Sequence, residues 1–279
     1  MRADLRVAQR KLTHLRAILG GIPEPVVGFS GGVDSSLLAV VARQAVGDRL
    51  RAVIADSPSL PRRELDAALA LARRHDVPLE VVETDELHDA RYRANGADRC
   101  AYCKDALVEA VVAHPALRGR TLLLGVNVDD LGDHRPGQGA ARRRGARFPL
   151  VEAGLGKHEV RSLARDLDIE TWNKPAAACL ASRVAYGVPV TADALRRIER
   201  AEEALRRLGF AGDVRVRDEG RDLARIELPT DRLADVVARR AEIVDAMHEA
   251  GFRYVTLDLE GFRSGSQNLV ITLGRAAPT

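Results

Sequence analysis

The sequence predicts an α/β domain built on a parallel sheet covered on both faces, followed by a smaller C-terminal α+β domain. Three observations carry this. Between residues 26 and 170, short β-branched runs alternate with Ala/Leu/Arg segments of helical spacing. Strands alternating with helices imply a parallel sheet with crossover helices on its faces. Near residue 190 the pattern changes to long amphipathic helices with isolated strands. We therefore expect two domains, 1–188 and 189–279.

Taken in order, the N-terminal stretch carries Leu5, Leu12, Leu15, Ile18 and Leu19 on one helical stripe. Val26–Ser30, Ala52–Asp56, Leu79–Glu83 and Leu122–Val126 read as buried strands, with Leu37–Val46 and Glu64–Arg74 as helices between them. Right-handed crossovers place the strand C-termini and their loops along one edge. Asp129–Arg147 is polar and rich in Gly and Arg, and reads as a loop or lid. Lys157–Leu167 is a further helix. It leads into Trp172, which reads as core, and the segment Pro175–Gly187. In the second domain Thr191–Leu208 is helical, with Thr191 as its N-cap. Val214–Arg217 and Ala224–Leu228 read as strands. Asp231–Ala250 is a helix with Leu233, Val236, Val237, Ile243, Val244 and Met247 on one side. Arg253–Glu260 is a strand, and the chain ends in GFRSGSQN and a short final strand.

Composition narrows the function classes. With 43 basic and 40 acidic residues the net charge is only +3, so any anion site must be local. Nucleic acid is not an expected partner, because aromatic residues are only 4% and supply no obvious base-stacking platform. No stretch approaches 18 uncharged apolar residues, so no membrane span is expected. Three cysteines without a signal-peptide core point to a cytoplasmic protein with free thiols or metal ligands.

The first chemical motif is Val26-Val27-Gly28-Phe29-Ser30-Gly31-Gly32-Val33-Asp34-Ser35-Ser36. It runs from a strand into a helix. Glycines at the turn permit torsions denied to other residues, and N–H groups at a helix N-terminus suit phosphate oxygens. Ser30, Ser35 and Ser36 add hydroxyls. Asp34 is unfavourable beside bare phosphate, so it either positions Mg²⁺ or caps the helix. The Lys of a Walker loop is missing. A Gly-Gly pair alone is an ordinary tight turn, but SGGVDSS after a buried strand is far more specific. It resembles the PP-loop of the N-type ATP pyrophosphatases, the adenine nucleotide alpha hydrolase-like fold. That resemblance implies ATP cleaved between the α and β phosphates through an adenylylated intermediate. It also implies adenosine contacts at Asp56 and Ser57, where the next strand ends. Gly125-Val126-Asn127-Val128-Asp129-Asp130 ends the fourth strand at the same edge, so Gly125, Asn127 and Asp130 join the candidate nucleotide site. Taken alone, this segment is an Asn/Asp turn.

The cysteines form the second motif. Cys100 and Cys103 lie in Arg99-Cys-Ala-Tyr-Cys-Lys104, and Cys179 in Lys174-Pro-Ala-Ala-Ala-Cys179-Leu-Ala-Ser-Arg183. Lys174 and Arg183 flank Cys179 and could stabilise a thiolate. The Cys-x-x-Cys pair admits a redox site, a zinc site with His88 or His134 as a further ligand, or a 4Fe–4S cluster on all three thiolates with one iron open.

SGGVDSSLL, ADSPSLPRREL, ETDEL, RCAYCK, NVDDLGDHRPG, KPAAACLASR and GFRYVTLDLEGFRSGSQN together resemble the LarE sulfur transferases, over essentially the whole chain. The resemblance implies ATP and Mg²⁺ as cofactors and a pyridinium dicarboxylate mononucleotide as substrate. It implies Cys179 as the nucleophile on the acyl-adenylate. In single-cysteine members that residue loses its own sulfur and becomes dehydroalanine. Members with three cysteines are associated with a 4Fe–4S cluster, here on Cys100, Cys103 and Cys179, and this chain has all three. Arg183, Arg215 and Arg263 lie in the segments resembling the substrate region, and Arg forks suit carboxylate or phosphate. Glu203, Glu227 and Asp235 are either a gathered acidic group or ordinary charged surface. A homo-oligomer is expected from the resemblance. A tRNA-thiolating enzyme and an ATP-sensing module are the alternatives.

Overall fold

The computed structural model describes residues 2–132, 136–175 and 178–263. In chain order the elements begin with α1 (Arg2–Gly20), β1 (Pro25–Gly28), α2 (Val33–Val46), β2 (Arg51–Asp56), α3 (Arg62–Arg74) and β3 (Leu79–Glu83). Then come α4 (Ala90–Arg93), α5 (Arg99–Ala113), β4 (Thr121–Leu124), α6 (Pro136–Arg143), α7 (Pro149–Glu152) and α8 (Lys157–Asp166). The rest comprises α9 (Ala192–Arg207), β5 (Arg215–Asp218), β6 (Leu223–Glu227), α10 (Leu233–Ala238), α11 (Arg240–Ala250) and β7 (Tyr254–Leu257). No helix among the described residues is long and apolar enough to cross a membrane.

The chain divides into two compact units, Met1–Asp85 with Cys100–Ala177, and Glu86–Arg99 with Ala178–Thr279. The division falls eleven residues before the boundary expected after residue 188, and a segment from the first half joins the second unit. Side-chain hydrogen bonding explains that segment. The buried Asn95 donates its amide to the carbonyls of Val184, Ala185 and Val188 at 3.3, 2.8 and 2.9 Å. Arg99 donates to the Ala181 carbonyl at 2.9 Å. A single buried Asn in a polar stretch carries no periodicity, so nothing in the pattern announces this clasp.

In the first unit the sheet order is β3-β2-β1-β4, all parallel. Val26 stands opposite both Arg51 and Leu122. Alternation along the strands feeds two cores, as a sheet covered on both faces requires. Val27, Ile54 and Leu123 join the side chains of α1, α2, α3 and α8. Val26, Val53, Val82, Leu122 and Leu124 join Val108 and Val111 of α5. The N-terminal stripe behaves as expected at Leu12, Leu15 and Leu19, which are buried. The Leu5 side chain lies outside the described residues.

The stretch 129–147, expected as a loop, contains the helix α6. Gly137 and Gly139 lower its helix propensity, but Ala141 is buried in the second core and Arg142 sits over the Phe148 ring. His134 lies outside the described residues. Trp172, read as core, is 38% exposed with Arg165 over its ring.

In the second unit β5 and β6 are antiparallel and β7 pairs with β6 in parallel. Thr191 caps α9, its hydroxyl accepting the Ala194 N–H at 3.1 Å. The expected helix 231–250 is broken at Arg239, where ψ of +24° ends α10. The break leaves Val237 exposed while Val236, Ile243 and Met247 stay buried. The tail beyond Arg263, with its expected strand, lies outside the described residues.

Candidate active site

The nucleotide loop starts where β1 stops. The Phe29 N–H makes the last sheet bond, to the Val53 carbonyl at 2.7 Å. Gly31 then takes φ +66°, and a Cβ there would lie 3.1 Å from that of Ala68. Both facts demand glycine. Gly32 is the N-cap of α2 and offers no side-chain cap, which settles against Asp34 as the cap. The N–H groups of Gly31 and Gly32 engage no partner among the described residues. With the first N–H groups of α2 they form a set of free donors at the positive end of the helix dipole.

The serines shape this turn. Ser35 Oγ accepts the Ser30 N–H at 3.1 Å, lies 3.0 Å from Ser30 Oγ and donates to the Gly32 carbonyl at 3.1 Å. Ser36 is different. Its hydroxyl is buried without a partner among the described residues. An orphaned hydroxyl in the first turns of this helix costs free energy unless a ligand oxygen reaches it.

Asp34, in the first turn of α2, is held by two groups. Asn127 Nδ2 donates to Oδ1 at 2.9 Å and Lys157 Nζ contacts Oδ2 at 2.5 Å. Asn127 Oδ1 accepts the N–H groups of Asp129 and Asp130 at 2.9 and 3.3 Å, and its own N–H donates to the Asp130 carboxylate at 3.1 Å. The segment is thus an Asn/Asp turn, and it also reaches the loop. Gly125 permits this closeness, since a Cβ there would meet Ser35 N at 2.7 Å. Lys157 opens α8. Its N–H donates to Asp129 at 2.6 Å, while Glu159 reaches back to the Gly156 N–H at 2.9 Å and is itself held by Lys11 at 2.6 Å.

A second lysine meets the loop from another direction. Lys174 Nζ donates to the Gly31 carbonyl at 3.1 Å and pairs with Glu64 at 2.6 Å. Burial raises the Glu64 carboxyl, but Lys174 and then Arg63 outweigh it and hold the group below the usual carboxylate range. Sequence reasoning missed Lys157 and Glu64 and read Lys174 only as a neighbour of Cys179. A signal existed: the chain has just four lysines, Lys11, Lys104, Lys157 and Lys174, among its 43 basic residues.

At the end of β2 the Asp56 carboxylate accepts Arg62 at 2.6 Å, and Arg62 also donates to the Ser57 carbonyl at 2.9 Å. Ser57 Oγ accepts the Ser59 N–H at 3.2 Å. This turn is therefore stiff. Loop, serines, Asp34 and Asn127 lie together. The free N–H groups, the orphaned Ser36 and the two lysines fit a polyphosphate.

The cysteines divide. Cys100 and Cys103 stand three apart in the first two turns of α5, so they share a helix face. His88 lies in a 3₁₀ turn and is exposed. Among the described residues no group of three His, Cys, Asp or Glu is arranged to hold a metal ion. Cys179, half-buried in the second unit, leads into the 3₁₀ turn Leu180–Arg183.

Arg183 is buried and turned inward. It donates to the carbonyls of Ala178 and Cys179 at 2.5 and 3.0 Å and to Glu202 at 2.9 Å. Burial raises the Glu202 carboxyl, but Arg183, Arg206 and Arg215 together lower it below its ordinary range. Arg183 therefore sets the Cys179 backbone. Arg215 is under-partnered. It donates to the Val214 carbonyl at 2.8 Å and lies over Phe262 at 5.0 Å, and among the described residues its one carboxylate within ion-pair distance is Asp213 at 3.7 Å, with the Glu202 charge farther off. Burial, and then Arg183, push its pKa down. An arriving anion would relieve that. Arg263 is exposed and pairs with Glu260. Glu203, Glu227 and Asp235 each pair with arginine, Glu203 with Arg206, Glu227 with Arg217 and Arg225, and Asp235 with Arg232.

Comparison with known proteins extends the picture. Residues 20–109 match the NAD synthase family. Over 273 residues the chain is 37% identical to the pyridinium-3,5-bisthiocarboxylic acid mononucleotide synthase of Lactiplantibacillus plantarum, covering 97% of this chain and 98% of that one. The chain belongs to the LarE family of sulfur transferases. The uncharacterized protein slr1717 of Synechocystis sp. is 43% identical over 95% of this chain and 99% of its own. The glutamine-hydrolyzing GMP synthase of Corynebacterium ammoniagenes shares 27% identity over 58% of this chain and 36% of its own length. The LarE likeness therefore spans both units, and with the PP-loop it makes the chain an ATP-using enzyme.

Proposed function

We propose that the chain adenylylates a carboxylate of pyridinium-3,5-dicarboxylate mononucleotide and converts it to a thiocarboxylate, for synthesis of a nickel-pincer nucleotide. The observation that carries this is the loop of free N–H groups and orphaned Ser36, found in a chain that shares its whole length with a named synthase of this class. A carboxylate is a poor acyl electrophile at neutral pH. Its oxygen attacks the α phosphorus of ATP, the α–β bond breaks, and pyrophosphate leaves. The acyl group then carries AMP as leaving group, and a thiolate can displace it.

The free N–H groups of Gly31 and Gly32 and the ammonium of Lys157 take the charge of departing pyrophosphate. Ser30, Ser35 and Ser36 complete that cradle. Asp34 and Asp130 would hold Mg²⁺, which supplies charge neutralisation when bound. Asp56, Ser57, Gly125 and Asn127 line the adenylate side. Arg215 and Arg263 would take the substrate's phosphate or carboxylate, while Arg183 positions the Cys179 segment. Cys179 Sγ attacks the acyl carbon and AMP leaves; a base then takes the Cys179 Cα proton, the Cβ–Sγ bond breaks, and thiocarboxylate and dehydroalanine result. The alternative sulfur source is a 4Fe–4S cluster on the thiolates of Cys100, Cys103 and Cys179, which would supply an external sulfide. We place the enzyme in the cytoplasm as a homo-oligomer, supported by the free cysteines and the family resemblance.

Intact mass of anaerobically purified protein, before and after Mg-ATP and substrate, tests this. Loss of one H₂S from Cys179, matched to thiocarboxylate, identifies the protein's own sulfur. Thiocarboxylate with unchanged polypeptide mass identifies an external sulfide. Absence of AMP, product and mass change refutes the function.

A further inference from the structure

We propose that Lys174 is a positioning residue of the nucleotide loop, fixing the Gly31–Gly32 peptide so that the Gly32 N–H faces the pyrophosphate site. This rests on the ATP-binding reading of the loop. A turn that binds phosphate must present N–H groups and turn carbonyls away. In a trans peptide the C=O of one residue and the N–H of the next point in opposite directions, and the described chain contains no cis bond. Whatever holds the Gly31 carbonyl therefore aims the Gly32 N–H. That holder is Lys174 Nζ at 3.1 Å. Gly31 cannot hold itself, because glycine at φ +66° has access to many other conformations.

Lys174 is itself fixed from three sides. Its ammonium pairs with the buried Glu64 at 2.6 Å. Its N–H donates to the Thr171 carbonyl at 3.0 Å. Its own carbonyl accepts Arg161 at 3.0 Å. Glu64 sits in the first turn of α3, whose Ala68 touches Gly31. Glu64 and Lys174 thus form one clamp on one peptide plane. The lysine also stands five residues before Cys179, on the chain that carries the sulfur.

A structural contribution and a positioning contribution separate by experiment. Lys174→Met leaves the buried Glu64 with only the longer Arg63 pairing at 3.3 Å among the described residues, so it destabilises the fold and also frees the Gly31 carbonyl. Adding Glu64→Gln removes the under-compensated charge but restores no hold on the peptide. Binding of Mg-pyrophosphate and of AMP is measured by calorimetry on the full-length protein, with urea unfolding alongside. Lys174→Met is expected to weaken Mg-pyrophosphate about tenfold or more, the worth of one charge-assisted hydrogen bond, with AMP within about twofold. The double variant should regain the urea midpoint and stay weak for pyrophosphate, and Lys174→Arg should recover part of that affinity. Pyrophosphate affinity that returns with stability, or never changes, overturns the assignment. Wild-type protein that binds neither ligand overturns the ATP reading itself.

Discussion

Replacing Gly125 by alanine tests whether the end of β4 sets the nucleotide loop. The added Cβ would lie 2.7 Å from Ser35 N and 2.9 Å from Asp34 C and Ser35 Cα, all backbone atoms of α2. No flexible side chain can yield. Ordinary contact begins near 3.4 Å, so the first turn of α2 must retreat by about 0.7 Å, close to the displacement of about 1 Å that costs some hundredfold in rate. We expect the rate of AMP release to fall by about ten- to a hundredfold. Stability should fall by about 1–3 kcal/mol from overpacking, offset by about 0.4–1 kcal/mol from the stiffer unfolded chain. The assay is substrate-dependent AMP formation, with urea unfolding alongside. Gly20→Ala, where nothing lies within 4 Å, is the control: it should form AMP at the wild-type rate and show only the gain of about 0.4–1 kcal/mol in stability. AMP formation by Gly125→Ala at the wild-type rate would refute the reasoning, because the contact would then not control the loop.

Two further outcomes follow from buried charge. Arg183→Met should destabilise the protein by about 3 kcal/mol, towards the lower end for a broken buried pair, because Glu202 keeps Arg206 at 3.0 Å. An unchanged urea midpoint would show that the inward turn of Arg183 is energetically idle. Glu64 and Glu202 both have carboxyls held below the ordinary range. The unfolded chain therefore takes up their protons first as pH falls. Their stabilisation is complete above about pH 4.3, the ordinary glutamate value, and is lost on further acidification through the lowered folded-state values. Unfolding free energy measured from pH 7 to 3 should show this decline, and Glu64→Gln should flatten it. A wild-type curve without the decline would count against both pairings.

Much of the first unit was legible because its signals are local. Strand alternation at Val26, Val27, Leu122 and Leu123 reports burial on both faces, and SGGVDSS compresses a whole phosphate site into adjacent residues. What stayed hidden depends on long-range partners. Asn95 is an ordinary polar residue until three carbonyls from residues 184–188 converge on it. Arg183 and Arg215 look alike in sequence, yet Glu202 hydrogen-bonds to one at 2.9 Å, while the other's nearest carboxylate among the described residues is Asp213 at 3.7 Å. The helix α6 was hidden for a different reason: Gly137 and Gly139 depress propensity more than one buried alanine can signal.

The lysines show how composition can still report a long-range fact. Arginine is the default cation of this chain, and lysine appears only four times. Three of those four act around the loop: Lys157 on Asp34, Lys174 on Gly31 and Glu64, and Lys11 on the glutamate that caps the start of α8. A guanidinium is a rigid planar fork best suited to a bidentate partner, whereas an ammonium is compact and points its donors several ways. Lys174 satisfies a carbonyl and a carboxylate at once, and Lys157 neutralises Asp34, the position from which, on the function proposed, it turns to a phosphate oxygen. Both tasks call for a small cation at the end of a flexible stem. Where an arginine-biased sequence retains lysine, the geometry of the partner supplies the reason: here one ammonium is shared between a carbonyl and a carboxylate, and another is set on Asp34.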